Sequence, residues 1–153
     1  MLSSVLCPLS SVISPVFLVE AKANIPEIMS SLGAKSEHSI AKIQKSLEET
    51  RKYLRCKNSE LWEKGFYQYV NRLAHLYFLR DICKVDACLI FVYFLNDPTY
   101  LPASREEWAG ALELQKRLLG LKNHRLRRYV TEIFIDVKEL RIFDHKFGRA
   151  INS

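Results

Sequence analysis

Along this chain the spacing of apolar positions changes several times, and each change marks an element. Val16-Phe17-Leu18-Val19 is a short apolar run that ends in Glu20-Ala21-Lys22. Read as a strand, its side chains alternate between two faces, so Glu20 and Lys22 point to the same side. Pro26 to Gly33 predicts a turn or short helix leaving that strand. Over residues 36–54 the period becomes helical. Ile40, Ile43, Leu47 and Leu54 form an apolar stripe, and Ser36 stands where an N-cap is needed. Lys57-Asn58-Ser59 breaks the pattern, and Ser59 is placed to cap a second, longer helix that runs to Ile82.

Residues 87–95 are almost wholly apolar and rich in β-branched and aromatic types, which predicts a strand covered on both faces. Asn96-Asp97-Pro98 closes it as a turn. Ser104 with Glu107 makes a capping box at the start of a third helix, which Gly120 ends, and residues 131–137 read as a last strand. The order β-α-α-β-α-β predicts an α/β fold with a mixed, mostly parallel central sheet flanked by helices. No repeat or low-complexity tract divides the chain. Residues 1–15 read as an irregular N-terminal segment and residues 16–153 as a single domain.

Composition narrows the partners. A chain of 153 residues that is 48% hydrophobic can bury one core of its own. Its formal charge of +6 suits a polyanionic partner such as nucleic acid. Cys7, Cys56, Cys83 and Cys88 form no Cys-x-x-Cys pair, and no histidine follows at zinc-finger spacing. Cys83 and Cys88 straddle a helix-to-strand turn and are expected as buried thiols, which fits a reducing, cytoplasmic setting. The stretch from Leu2 to Val19 is uncharged, and Ala21-Lys22-Ala23 imitates a leader-cleavage site. The start nonetheless lacks a basic residue, and Pro8 and Pro15 interrupt the apolar stretch. The expectation is therefore neither a leader nor a membrane span.

Two patterns carry candidate chemistry. A carboxylate and an ammonium side by side at a strand end, Glu20 and Lys22, can hold a divalent cation and orient water for phosphodiester hydrolysis. On the second helix, Gln68, Asn71, Arg72 and His75 recur at intervals of three and four in a polar stripe with neither acid nor lysine. Such a stripe suits phosphate or a catalytic cleft, whereas Tyr67, Tyr69 and Tyr77 read as core packing. The densest basic patch is His124-Arg125-Leu126-Arg127-Arg128, with Lys116, Arg117 and Lys122 near it. Arg125, Arg127 and Arg128 are the expected backbone contacts to nucleic acid there. His38, His75, His124 and His145 show no metal-ligand spacing, and there is no glycine-rich phosphate loop or nucleophile elbow. Glu132 and Asp136 are expected as exposed edge residues.

Taken together, Phe17-Leu18-Val19-Glu20-Ala21-Lys22-Ala23, then Phe66-Tyr67-Gln68-Tyr69-Val70-Asn71-Arg72-Leu73-Ala74, then the apolar strand, resemble the PD-(D/E)XK superfamily of restriction-endonuclease-like nucleases. Within it the chain is most similar to uncharacterised bacterial members, over residues 16–140. The resemblance implies that Glu20 binds Mg²⁺ with help from the Ala21 carbonyl. It implies further that Lys22 aligns the attacking water, that Gln68 reaches toward the catalytic centre, and that Arg72 contacts phosphate. The superfamily also places an Asp on a strand before Glu-x-Lys. Here no acid precedes Glu20, and Glu27 or Asp97 are the conceivable substitutes. The expectation is thus a truncated or degenerate nuclease-like protein whose intact relatives hydrolyse nucleic acid with Mg²⁺. The alternative is a catalytically inactive module that binds nucleic acid or a protein.

Overall fold

Three strands, β1 (Val16–Lys22), β2 (Ala87–Leu95) and β3 (Val130–Asp136), run parallel in the spatial order β1-β2-β3. The computed structural model describes residues 14–57 and 60–140. Between β1 and β2 lie α1 (Glu37–Leu54), the single turn α2 (Glu60–Lys64) and α3 (Tyr67–Tyr77). Between β2 and β3 lies α4 (Arg105–Leu118). The fold is α/β, as the alternation of periods predicted. Among the described residues, no helix is long and apolar enough to cross a membrane.

Sequential strand order has a direct consequence for the layers. Both crossovers step the same way across the sheet, so right-handed connections bring their helices to the same face. That face carries Leu18, Glu20 and Lys22 on β1, and Leu89, Phe91, Tyr93 and Leu95 on β2. On β2, the residues facing the helices are buried and those between them are half-buried. Among the described residues, the strand expected to be covered on both faces is therefore covered by helices on one. On β1, Phe17 and Val19 point the other way and remain 58% exposed.

An aromatic ladder fills the covered face. Tyr69 of α3 stacks on Phe91 at 4.7 Å between ring centroids, and Tyr93 packs against Trp108 of α4 at 4.7 Å. Trp108 is fully buried, and its indole N–H donates to the Phe94 carbonyl at 3.0 Å, so the ring costs no unpaired polar group. The helix starts are as read. Ser36 accepts from the Ser39 amide, and Ser104 with Glu107 forms the reciprocal capping box.

Two expectations need correction. The long second helix is broken at Gly65-Phe66, where Ser30 forms a parallel bridge with Phe66. The Ser30 amide donates to the Gly65 carbonyl at 2.8 Å and the Tyr67 amide to the Ser30 carbonyl at 3.1 Å. Backbone groups that would have continued the helix are instead paired with the loop after β1. The helix also ends in a π turn over Phe78–Ile82. The second correction concerns the thiols: Cys83 is disulfide-bonded, while Cys88 is a half-buried free thiol. The Ser59 cap, His145, most of the segment 1–15 and the end of the 16–153 domain lie outside the described residues.

Candidate functional site

Glu20 and Lys22 stand next to each other on the covered face of β1, with Lys22 Nζ 3.0 Å from Glu20 Oε1. Helix α3 crosses above them and lowers two side chains one helical turn apart. Arg72 Nε donates to Glu20 Oε2 at 2.7 Å, and Lys22 Nζ donates to Gln68 Oε1. The start of α3 is fixed by the same loop that breaks the longer helix. There, the Gln68 amide donates to Ser30 Oγ at 2.9 Å. Of the expected polar stripe, then, Gln68 and Arg72 reach the strand, while His75 faces solvent.

The result is a chain of contacts, Arg72–Glu20–Lys22–Gln68, in which each oxygen of one carboxylate meets a different cation. Burial pushes the Glu20 carboxyl up, but hydrogen bonds from Arg72 and Lys22 outweigh it and hold the group below its ordinary value of 4.5. Glu20 and Lys22 are each only 12% exposed, while Arg72 is 36% exposed. Two cations on one carboxylate leave the cluster with a positive surplus. Arg72 meets Glu20 through Nε, and its side chain stays partly open to solvent.

Beside the cluster is a small pocket. Its rim is Glu20, Lys22 and Gln68, and its floor includes Tyr69, Phe91 and Tyr93. A polar lining residue not anticipated from the sequence is Gln115 of α4, which is buried with its Oε1 unpaired among the described residues. The signal was present: Gln115 continues the buried stripe of Trp108 and Leu112, a polar residue at a core position.

Among the described residues, the Glu20 site does not bring together the oxygen ligands that Mg²⁺ needs. A hard cation needs several oxygen ligands at close range, and Glu20 is already held by Arg72 and Lys22. Ala21, whose carbonyl is the other implied ligand, sits between Glu20 and Lys22 on β1 in register with Val92 of β2. Glu27 turns back on its own loop, accepting from Asn24 Nδ2 at 2.6 Å and from the Ala23 amide at 3.1 Å. Asp97 accepts from the amide and hydroxyl of Thr99, as the turn reading of Asn96-Asp97-Pro98 requires. Among the described residues no group of three or more His, Cys, Asp or Glu side chains could hold a metal ion. Asp144 lies outside them.

Glu132 and Asp136 depart from the exposed edge residues expected. Both are half-buried. Lys116 Nζ lies 2.7 Å from both oxygens of Glu132, and Asp136 accepts from Asn96 Nδ2 at 2.8 Å. The expected nucleic-acid residues also divide. Arg72 belongs to the Glu20 cluster, whereas Arg125, Arg127 and Arg128 precede the N-terminal end of β3, away from the strand end that carries Lys22. Arg125 lies over the Tyr53 ring at 5.2 Å and Arg128 over Tyr129 at 4.7 Å, so aromatic faces hold both guanidinium groups. Tyr69 is buried and Tyr77 packs on Tyr53 at 4.6 Å, which bears out their reading as core.

No protein-family model matches the chain, and comparison with curated proteins and with solved structures finds no match.

Proposed function

We propose that this chain is a nucleic-acid-binding module built on a nuclease-like constellation, which contacts backbone phosphate without hydrolysing it. The observation that carries this reading is the state of Glu20. Its two oxygens are bound by Arg72 and Lys22, so the carboxylate orients two cations rather than a metal ion. Gln68 accepts from Lys22, and the Arg72 side chain is partly exposed beside them. Together they offer an anion a preformed set of charge-assisted hydrogen bonds.

A second reading is metal-dependent nucleic-acid hydrolysis of the PD-(D/E)XK type. It is favoured by the meeting of Glu20, Lys22 and Gln68 at one pocket. In that case a second carboxylate comes from outside the described residues.

One set of assays separates the two readings. Short DNA and RNA are titrated by fluorescence anisotropy over a range of salt, and supercoiled plasmid is assayed for nicking with Mg²⁺ or Mn²⁺. Glu20→Ala, Lys22→Ala and Arg72→Ala are run alongside. The binding reading expects salt-dependent affinity weakened in Lys22→Ala and Arg72→Ala, with no nicking. Metal-dependent nicking that disappears in both Glu20→Ala and Lys22→Ala overturns it in favour of the second reading.

A further inference from the structure

Between Glu113 and Glu132 the chain carries six Lys and Arg residues and no acid. The fold gathers part of this run around a polar pocket of about 760 Å³ empty volume between α4, the loop after it and β3. Lys116, Lys122, His124 and Arg127 line it, together with the two acids at the ends of the run. Those acids are already matched. Glu132 is held by Lys116, and Glu113 is shared between Arg117 at 2.7 Å and Lys122 at 3.1 Å. Arg127 reaches only a neutral acceptor, Asn123 Oδ1, at 3.3 Å. Arg125 and Arg128, which with His124 and Arg127 line a neighbouring pocket, lie over tyrosine rings. The pocket therefore holds more positive charge than its own acids balance.

His124 shows the same surplus from inside. It is half-buried, and its Nδ1 is enclosed with no hydrogen-bond partner. Burial, then the charges of Arg127 and Lys116, push the imidazole down to about 4, so it stands neutral among cations. A neutral imidazole keeps one N–H to donate, so His124, beside an ammonium and a guanidinium, can give a hydrogen bond to an oxyanion.

We propose that this pocket is a phosphate site, taking a phosphate dianion or a terminal phosphomonoester between Lys122, His124 and Arg127. A dianion offers the charge that the surplus calls for, and its oxygens radiate toward donors arriving from several directions. The site shares the Tyr69 wall with the Glu20 pocket but none of that cluster's charged side chains, so it stands independently of the nucleic-acid reading above.

The test uses the whole chain and follows the ring protons of His124 by NMR while inorganic phosphate is added. Saturable shifts are expected, together with a rise in the pH at which His124 titrates, because a bound dianion stabilises the imidazolium. Lys122→Ala and Arg127→Ala alter exposed side chains and leave the core intact. Each is expected to weaken phosphate binding about tenfold, the loss of one charge-assisted hydrogen bond. A short oligonucleotide with and without a 5′-phosphate then identifies the source. Tighter binding of the oligonucleotide that carries the 5′-phosphate than of the one without it assigns the site to a nucleic-acid terminus, and equal binding of the two assigns it to free phosphate. The proposal is overturned if His124 does not respond to phosphate, if chloride at equal ionic strength moves it as much, or if both variants bind phosphate like the parent chain.

Discussion

Glu20 and Glu132 stand level on one face of the sheet, each paired in register with Phe91 of the strand between them. Two inter-strand spacings put their backbones roughly 9–10 Å apart. The Tyr69 ring lies on Phe91 in the gap. Two carboxylates so divided do not share an ion. Each is neutralised by its own cations, Glu20 by Arg72 and Lys22, Glu132 by Lys116. The covered face therefore offers two pockets on either side of an aromatic wall, and each has an acid held by its own cations.

Removing the charge of Glu20 separates support from ligand contact. Glu20→Gln keeps the shape but leaves Lys22 and Arg72 facing a neutral amide. Urea unfolding should show a loss on the order of 1–3 kcal/mol, below the value for a fully buried pair because Arg72 is partly exposed. Nucleic-acid affinity should rise, with a steeper dependence on salt, since one repelling charge is gone. Weaker binding in this variant, with stability unchanged, would mean that Glu20 itself contacts the ligand.

The one-sided sheet predicts an asymmetry along and across the strands. Phe91 is 2% exposed and packed under Tyr69, so Phe91→Ala should cost about 3–5 kcal/mol. Val19 points to the other face and is 58% exposed, so Val19→Ala should cost less than about 1 kcal/mol. Paired urea melts measure both. A Val19→Ala loss comparable with that of Phe91→Ala would show the second face to be buried in solution.

How much of this was legible in the sequence depends on the range of the interaction involved. The caps at Ser36 and Ser104 and the common face of Glu20 and Lys22 follow from spacings of two to four residues, and the structure has them. Gln68 and Arg72 were legible as neighbours on a helix because they are four apart. That the helix would lie over β1 is a tertiary fact. The break at Gly65-Phe66 was not legible, because its cause is Ser30, whose backbone bonds come from a distant loop. Nor could the apolar run of β2 tell one covered face from two, since strand order and crossover hand decide that. The separation of Arg125, Arg127 and Arg128 from the Glu20 cluster has the same origin: strand direction sets which end of the sheet each group occupies.

His124 gives the fold an acid-sensitive step distinct from that of its carboxylates. Its imidazole titrates at about 4 in the folded chain and near the ordinary 6.5 when unfolded. Between those values the unfolded chain takes up a proton that the folded chain refuses, so stability falls as pH drops from 6.5 toward 4 and this loss is complete below it. Arg127 and Lys116 are the charged groups that, with burial, keep the ring neutral. Allowing for the ring's partial exposure, the loss is on the order of 1–2 kcal/mol. Glu20 acts lower on the scale. With its folded value below 4.5, its contribution is present above that pH and disappears as pH falls through the folded value. Replacing His124 by Gln should therefore flatten urea midpoints between pH 6.5 and about 4 while leaving the steeper acid limb in place. An unchanged slope in that variant would mean that His124 is solvated, with its titration near normal. A slope abolished at both ends would mean that the imidazole and the Glu20 cluster titrate as one unit across the Tyr69 wall.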